Sequence, residues 1–292
     1  MFPEGVRNVE RTREATTVKR RHPPPDPSAP SLDASARVEA SRRRLRRVFL
    51  EGFVALDVAE PLVSFDAERP AAEVRAFLDA HDFDRAGVRR HGLVAGYVER
   101  IPLSGGRCGD HLVPFVEDDL VPYTAPLLEA IQSLGVNRRC FVTVLGRPAA
   151  IVTLQDLEKP PVRMFLFGMI TLLEMLLART VDEAFPAEAF RPLLAPGRLA
   201  RAEALRQERR RRGVESRLVD CLQFADKGQL ALRIPGIADR VDPGMSRKAA
   251  LRALKELESL RNDLAHGQEF VAEAFERILI FTGRLDRLLE SL

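Results

Sequence analysis

Apolar side chains are sparse over residues 1–34, where Pro23-Pro24-Pro25-Asp26-Pro27 stands among Ser and Ala. Such a segment cannot offset its own ordering entropy and is expected to stay disordered. From about Ser35 the spacing becomes helical, ending in Arg42-Arg43-Arg44-Leu45-Arg46-Arg47. Two similar stretches follow, offset by about 55–58 residues. In the first, Pro61–Phe65 reads as a strand, Ala71–Ala80 as an amphipathic helix, and a second strand ends in Gly96-Tyr97-Val98. In the second, Leu120–Tyr123 precedes a helix near Pro126–Leu134. The β-rich runs Cys140–Leu145 and Ala149–Thr153 come next, separated by the turn Gly146-Arg147-Pro148. Strand–helix–strand–strand, repeated once, makes an α/β pair.

Beyond that pair the pattern is helical almost throughout. Met164–Ala178 is apolar but interrupted by Glu174, and reads as a buried helix too short for the ~20 residues a bilayer needs. Leu199–Arg212 is a basic helix stopped by Gly213. Val214–Leu232 and Phe270–Leu292 are amphipathic, and Ser246 caps a helix running to about His266 with Gly267 as its stop. The expected organisation is a tail over 1–34, an α/β pair over 35–180 and an all-α bundle over 181–292.

Charge refines this division. Residues 1–47 hold twelve Lys/Arg against six Asp/Glu, whereas the whole chain carries only +3, so the remainder is slightly acidic. A basic tail suits nucleic acid, an acidic membrane surface, or simply solvent. With no Trp and two Tyr, no aromatic platform for stacking bases stands out. Cys108, Cys140 and Cys221 are scattered, which fits neither a disulfide framework nor a zinc site. No apolar core follows the first charges, so no secretory signal is read, and a cytoplasmic location without membrane attachment is expected.

Two clusters carry candidate chemistry. In Ala150-Ile151-Val152-Thr153-Leu154-Gln155-Asp156, a small apolar strand leads to Thr and, three residues on, Asp. The hydroxyl and the helix N-terminal amides can meet phosphate, and the carboxylate can accept from two ribose hydroxyls. The same two residues can instead cap the next helix. Over roughly residues 50–180 the chain resembles a pair of CBS domains, the adenosyl-ligand-sensing module. The resemblance implies that Thr153 contacts phosphate, that Asp156 holds ribose, and that AMP, ADP, ATP or S-adenosylmethionine is the regulator. The first repeat departs from the pattern, with Glu99 and Pro102 in place of Thr and Asp, so one competent site is expected. Ser104–Gly109 is glycine-rich but lacks strand–helix context and reads as a connector.

The second cluster is Arg261-Asn262-Asp263-Leu264-Ala265-His266. Ala250, Leu254, Leu257 and Leu264 mark a buried seam in which Arg261 fills the gap, so its guanidinium needs an acidic partner, a cleft or an anionic ligand. Asn262 and His266 are four apart on one face, whereas His266 lies about 140° around and ~7.5 Å along the helix from Arg261. Two copies meeting across a twofold axis can bring two such sets into one cleft. Residues 185–292 resemble a HEPN domain, a helical bundle of many defence and toxin ribonucleases and of non-catalytic binding proteins. Arg261, Asn262 and His266 match its motif at every required position. The resemblance implies a homodimeric, metal-independent endoribonuclease in which Arg261 holds the phosphate, His266 is the acid/base and Asn262 orients His266. RNA is then the substrate, no cofactor is needed for catalysis, and the CBS pair regulates. An Arg paired to a nearby Glu, with a His at a helix C-terminus, is the plainer alternative. A non-enzymatic nucleotide-sensing adaptor, or a HEPN partner of a separate nucleotidyl-transferring protein, is the alternative function.

Overall fold

The computed structural model describes residue 44 and residues 47–241, 243–266, 275–276 and 278–284. The tail over 1–34, the helix start near Ser35, the Gly267 stop and most of Phe270–Leu292 lie outside the described residues, as do the side chains of Ala265 and His266. Ten strands and helices build the α/β part: β1 (Glu60–Pro61), β2 (Ser64–Asp66), α1 (Ala71–His81), β3 (Arg85–Arg90), β4 (Leu93–Glu99), β5 (Val113–Pro114), β6 (Leu120–Pro122), α2 (Leu127–Asn137), β7 (Arg139–Val144) and β8 (Arg147–Thr153). They form two four-stranded sheets, ordered β2-β3-β4-β5 and β1-β8-β7-β6.

The strand expected over Pro61–Phe65 is divided between these sheets. Pro61 pairs antiparallel with Ala150 in one, and Phe65 pairs parallel with Val88 in the other. The switch is made in two residues: Leu62 N–H donates to the Ala149 carbonyl, and the Val63 carbonyl accepts from Gly87 N–H. Each sheet therefore contains a strand from the start of the pair, and the repeats are laced together rather than strung side by side.

The internal repeat is close at the backbone. Helices α1 and α2 are offset by 56 residues, and the hairpins by 54, since Arg85 pairs with Glu99 as Arg139 pairs with Thr153. Both hairpins carry an irregularity at the same place, after Val88 and after Val142. Both turn on two positive-φ residues, His91-Gly92 and Leu145-Gly146. That is the geometry whose twist suits adjoining antiparallel strands, with Gly favoured second. Arg147 and Pro148, expected in the turn, instead open β8.

After β8, Pro160 and Pro161 open α3 (Pro160–Ala184), proline being tolerated where amide donors have no helical partner anyway. With 25 residues and a mean hydropathy of 1.7 over its most apolar window, α3 is longer than the sequence pattern suggested. By length and composition it is sufficient to cross a bilayer. Its Val162, Phe165, Leu166, Met169 and Ile170 are instead packed into the protein interior. Gly168 permits a close approach, since a Cβ there would fall 2.1 Å from the Phe49 ring. Glu174, the polar interruption, pairs with the almost fully buried Lys227 at 2.7 Å.

The basic helix is α4 (Pro196–Arg211), closed by positive-φ Gly213. The helix expected over Val214–Leu232 is broken: a single 3-10 turn at Val219–Cys221 precedes α5 (Phe224–Ala231). The short α6 (Ile237–Val241) leads to α7 (Arg247–His266), where the Ser246 hydroxyl accepts from Ala249 N–H at 3.2 Å, as the capping argument required. Residues 275–276 and 278–284 are helical.

Among the described residues three apolar clusters form. Phe65, Val74, Leu78, Val88 and Val98 close the first repeat on its own. Val181, Phe190, Leu218 and Leu230 close the far end of the helical half. The largest joins the second repeat to the helices: Ile131, Val142 and Val152 share one core with Phe165 of α3, Leu260 and Leu264 of α7, and Phe275, Ile278 and Phe281. This core runs across residue 180.

Candidate functional site

A cleft of about 880 Å³ opens where the β1–β2 crossing meets the end of β8. Thr153, Leu154, Gln155 and Asp156 line one side, Glu60 to Val63 another, and Asp82, Phe83, Asp84, Arg85, Arg100 and Arg138 the rest. The two residues singled out for nucleotide contact thus lie in one concave site. Strand β8 ends at Thr153, and a 3-10 turn over Leu154–Glu158 starts there.

Thr153 and Asp156 also fill the capping role. Asp156 Oδ2 accepts from Thr153 N–H at 2.7 Å and from Thr153 Oγ1 at 3.0 Å. Oδ1 faces Lys159 Nζ at 2.8 Å. An ionised carboxylate offers about four lone-pair positions, so three are engaged. Gripping two ribose hydroxyls therefore requires Lys159 or the Thr153 hydroxyl to let go, and a released Thr153 hydroxyl is free to turn to phosphate. Lys159 is itself held by Glu60 and by the Val58 carbonyl at 2.6 Å. Burial pulls its ammonium down, yet the hydrogen bonds to Asp156 and Glu60 outweigh that and hold it above the usual lysine range.

The corresponding positions of the first repeat have different chemistry. Glu99 stands where Thr153 stands and pairs with Arg85 at 3.2 Å. Arg100, next along, bridges Asp82 at 3.0 Å and Asp84 at 2.8 Å. Its guanidinium is held above its ordinary range, chiefly by the hydrogen bond to Asp82. A carboxylate at the strand end repels phosphate, and Pro102 offers no carboxylate for ribose.

Sequence reasoning missed Glu60, Asp82, Arg100, Arg138 and Lys159. Asp82 and Arg138 both follow a helix and both adopt positive φ, at 52° and 56°, but neither is the Gly or Asn that marks such a helix end in a sequence. Their meeting in a cleft depends on the sheet crossing, which has no sequence motif.

The second cluster is placed differently from expectation. On α7 the seam consists of buried Ala250, Leu260 and Leu264, with Leu254 and Leu257 partly buried beside it. Leu260 fills the gap assigned to Arg261. A helix advances 100° per residue, so one residue's shift moves the apolar line to the neighbouring row. Arg261 is half-buried at the seam's edge, and Asn262 is exposed. Among the described residues Arg261 has no ion pair, so the acidic partner its burial called for is not found there. His266 is the last residue of α7, its side chain outside the described residues. Close packing fixes α7: a Cβ on Gly228 of α5 would fall 2.5 Å from Leu254. Among the described residues no three His, Cys, Asp or Glu side chains are gathered as metal ligands.

A duplicated strand–helix–strand–strand unit with its cleft at a Thr-x-x-Asp turn defines the class of the α/β part. No protein-family model matches the chain, and no curated protein matches it. Among solved structures the chain is similar to the CBS domain of the bacterial CNNM/CorC family Mg2+ transporter in complex with ATP. That match has 18% identity, spans 41% of this chain and 93% of that one, and has a TM-score of 0.32. It is also similar to a hemolysin-like protein containing a CBS domain from Oenococcus oeni PSU, at 14% identity, 39% and 93% coverage and TM-score 0.32. A third is a CBS-domain-containing protein from Agrobacterium tumefaciens, at 17% identity, 35% and 89% coverage and TM-score 0.29.

Proposed function

We propose that the protein senses an adenosyl nucleotide in the Thr153–Asp156 cleft and that its helical half is the output, a metal-independent HEPN-type endoribonuclease of toxin or defence kind working as a homodimer. The observation that carries the sensing reading is the cleft itself: a hydroxyl and a carboxylate on one strand-to-turn junction, with an arginine opposite. Thr153 turns its hydroxyl to phosphate, Asp156 accepts from ribose, and apolar Leu62, Val63 and Ile151 flank the base.

The output reading is supported by Arg261 and Asn262 lying on the accessible side of α7, with no ion pair to Arg261 among the described residues. In this mechanism the RNA 2′-oxygen loses its proton and attacks the adjacent phosphorus. The bond to the 5′-oxygen breaks, and that oxygen takes a proton. Arg261 holds the phosphate through its planar donors, and His266 moves the protons, with Asn262 orienting it. Arg261 and His266 diverge along one helix, so the site is composed across a twofold axis.

Calorimetry with AMP, ADP, ATP and S-adenosylmethionine tests the sensor, which fails if none binds. Purified protein with RNA in EDTA, with and without these ligands, tests the output. The expected products carry a 2′,3′-cyclic phosphate and a 5′-hydroxyl, and DNA stays intact. Arg261→Ala and His266→Ala should each slow cleavage by about 10²-fold while the dimer persists in light scattering. Intact RNA under every condition leaves a nucleotide-sensing adaptor as the function.

A further inference from the structure

The three arginines lining the cleft are not equivalent. Arg85 is neutralised by Glu99, and Arg100 by Asp82 and Asp84. Arg138 has no ion pair among the described residues, and its side chain is exposed. It ends α2 in the left-handed region, with its N–H closed onto the Leu134 carbonyl at 2.8 Å, so the side chain starts from a fixed point. Its guanidinium carbon lies 5.6 Å from the centre of the Phe275 ring. Phe275 is buried and shares the large core with Leu260 and Leu264 of α7. One turn back on α2, a Cβ on Gly135 would lie 3.1 Å from Leu279, so the same helix end lies close to both Phe275 and Leu279.

A guanidinium has two separate binding surfaces. Its face stacks on aromatic rings, and its edge presents N–H donors that match phosphate bidentately. We propose that Arg138 is the phosphate ligand of this cleft, taking the phosphate of a nucleotide on its edge while its face stays on Phe275, so that ligand binding and docking of residues 275–284 reinforce each other. This rests on the sensor reading for the ligand's adenosyl part, but the phosphate chemistry stands separately. Each interaction narrows the positions open to one side chain, and the coupling is reciprocal by linkage. Phe275 is no part of the cleft, yet its ring is required for full phosphate affinity. In the first repeat the same position is Asp82, so the device exists once.

The test uses calorimetry with AMP, adenosine and inorganic pyrophosphate on wild type, Arg138→Gln and Phe275→Leu, with amide exchange over residues 275–284. Arg138→Gln should weaken AMP roughly ten-fold and leave adenosine unchanged. Phe275→Leu, which keeps an apolar side chain but removes the ring, should weaken AMP about two- to five-fold without touching adenosine. AMP should slow exchange over 275–284 in wild type but not in Arg138→Gln. Undiminished AMP binding by Arg138→Gln, or equal losses for AMP and adenosine, overturns the assignment of Arg138. Unchanged AMP affinity in Phe275→Leu overturns the link to the helices. Arg138-dependent pyrophosphate binding by a protein that ignores AMP and adenosine sinks the adenosyl reading and keeps this one. Failure of all three probes on wild type removes both.

Discussion

The two α/β repeats share a backbone and divide its chemistry. Strand register, hairpin turns, the bulge and the left-handed residue after each helix recur, yet at matched positions the side chains diverge. Phe141 of β7 corresponds to Gly87 of β3, Ala150 to Gly96, Cys140 to Ala86, Thr153 to Glu99 and Arg138 to Asp82. The first repeat closes a core of its own, and its charged cleft residues pair among themselves. The second repeat shares its core with α3, α7 and Phe275, Ile278 and Phe281, and keeps a hydroxyl, a carboxylate and an arginine at the cleft. Duplication supplied a scaffold. The copy that packs against the helices is also the one that carries the Thr153–Asp156 turn.

The largest expected effect concerns Phe141. It is fully buried, with its ring 4.9 Å from Tyr97 and 4.7 Å from Phe115, both contributed by the chain before β6. Arg139 lies over the Tyr97 ring at 4.9 Å and also reaches its hydroxyl. Phe141→Ala removes the centre of this inter-repeat contact and should cost about 3–5 kcal/mol in denaturant unfolding. A loss below about 1 kcal/mol would mean that the repeats hold together by the strand crossing alone.

Binding comes next. Asp156→Ala should weaken adenine-nucleotide affinity by about ten-fold or more, on the usual scale for losing charged hydrogen bonds. Glu99→Ala, at the position matched to Thr153, should change it less than about two-fold. Similar losses in calorimetry would mean that both repeats hold ligand and that the asymmetry is only apparent.

Glycine 96 offers a smaller and sharper contrast. A Cβ there would meet the Val113 carbonyl oxygen at 2.4 Å, because β5 lies against β4. Its counterpart Ala150 faces β1 instead and tolerates the methyl group. Gly96→Ala should therefore cost about 1–3 kcal/mol by overpacking against backbone, although the second repeat carries that very residue. A melting temperature equal to wild type would show that β5 yields.

The last contrast is a pH limb, which has no effect at neutral pH. Burial pushes the Cys140 thiol up to about 12 from an ordinary 9.0, so the folded state keeps its proton where the unfolded chain loses it. The sign follows directly: this stabilisation is complete below pH 9 and is lost as pH rises toward 12. The loss runs at about 1.4 kcal/mol per pH unit in that window. Cys140→Ala, the residue at the matched position, should flatten that limb relative to wild type in unfolding measured from pH 8.5 to 11. Identical slopes would indicate that the thiol is wet.

Much of the architecture was legible in the residues. Apolar spacing located α1, α2, α4 and α7, Ser246 marked the start of α7, and the Ile151–Asp156 run pointed to the one Thr-x-x-Asp turn. These features are local: a capping hydroxyl, a helical stripe and an alternating strand are fixed by neighbours within a few positions. The split of Pro61–Phe65 between two sheets, the break between Val214 and Phe224, and the burial of Leu260 rather than Arg261 were decided only by the tertiary structure. Each depends on what packs opposite, and periodicity cannot resolve a shift of one helical row or tell which sheet an edge strand joins. The cleft shows this most plainly. Local spacing puts Thr153 and Asp156 on one turn, but it took the folded chain to set Glu60, Asp82, Arg100 and Arg138 around them. Residues tens of positions apart converge because β1 joins the sheet of the second repeat, and which cleft arginines find a carboxylate among the described residues, Arg85 and Arg100 but not Arg138, follows from that crossing.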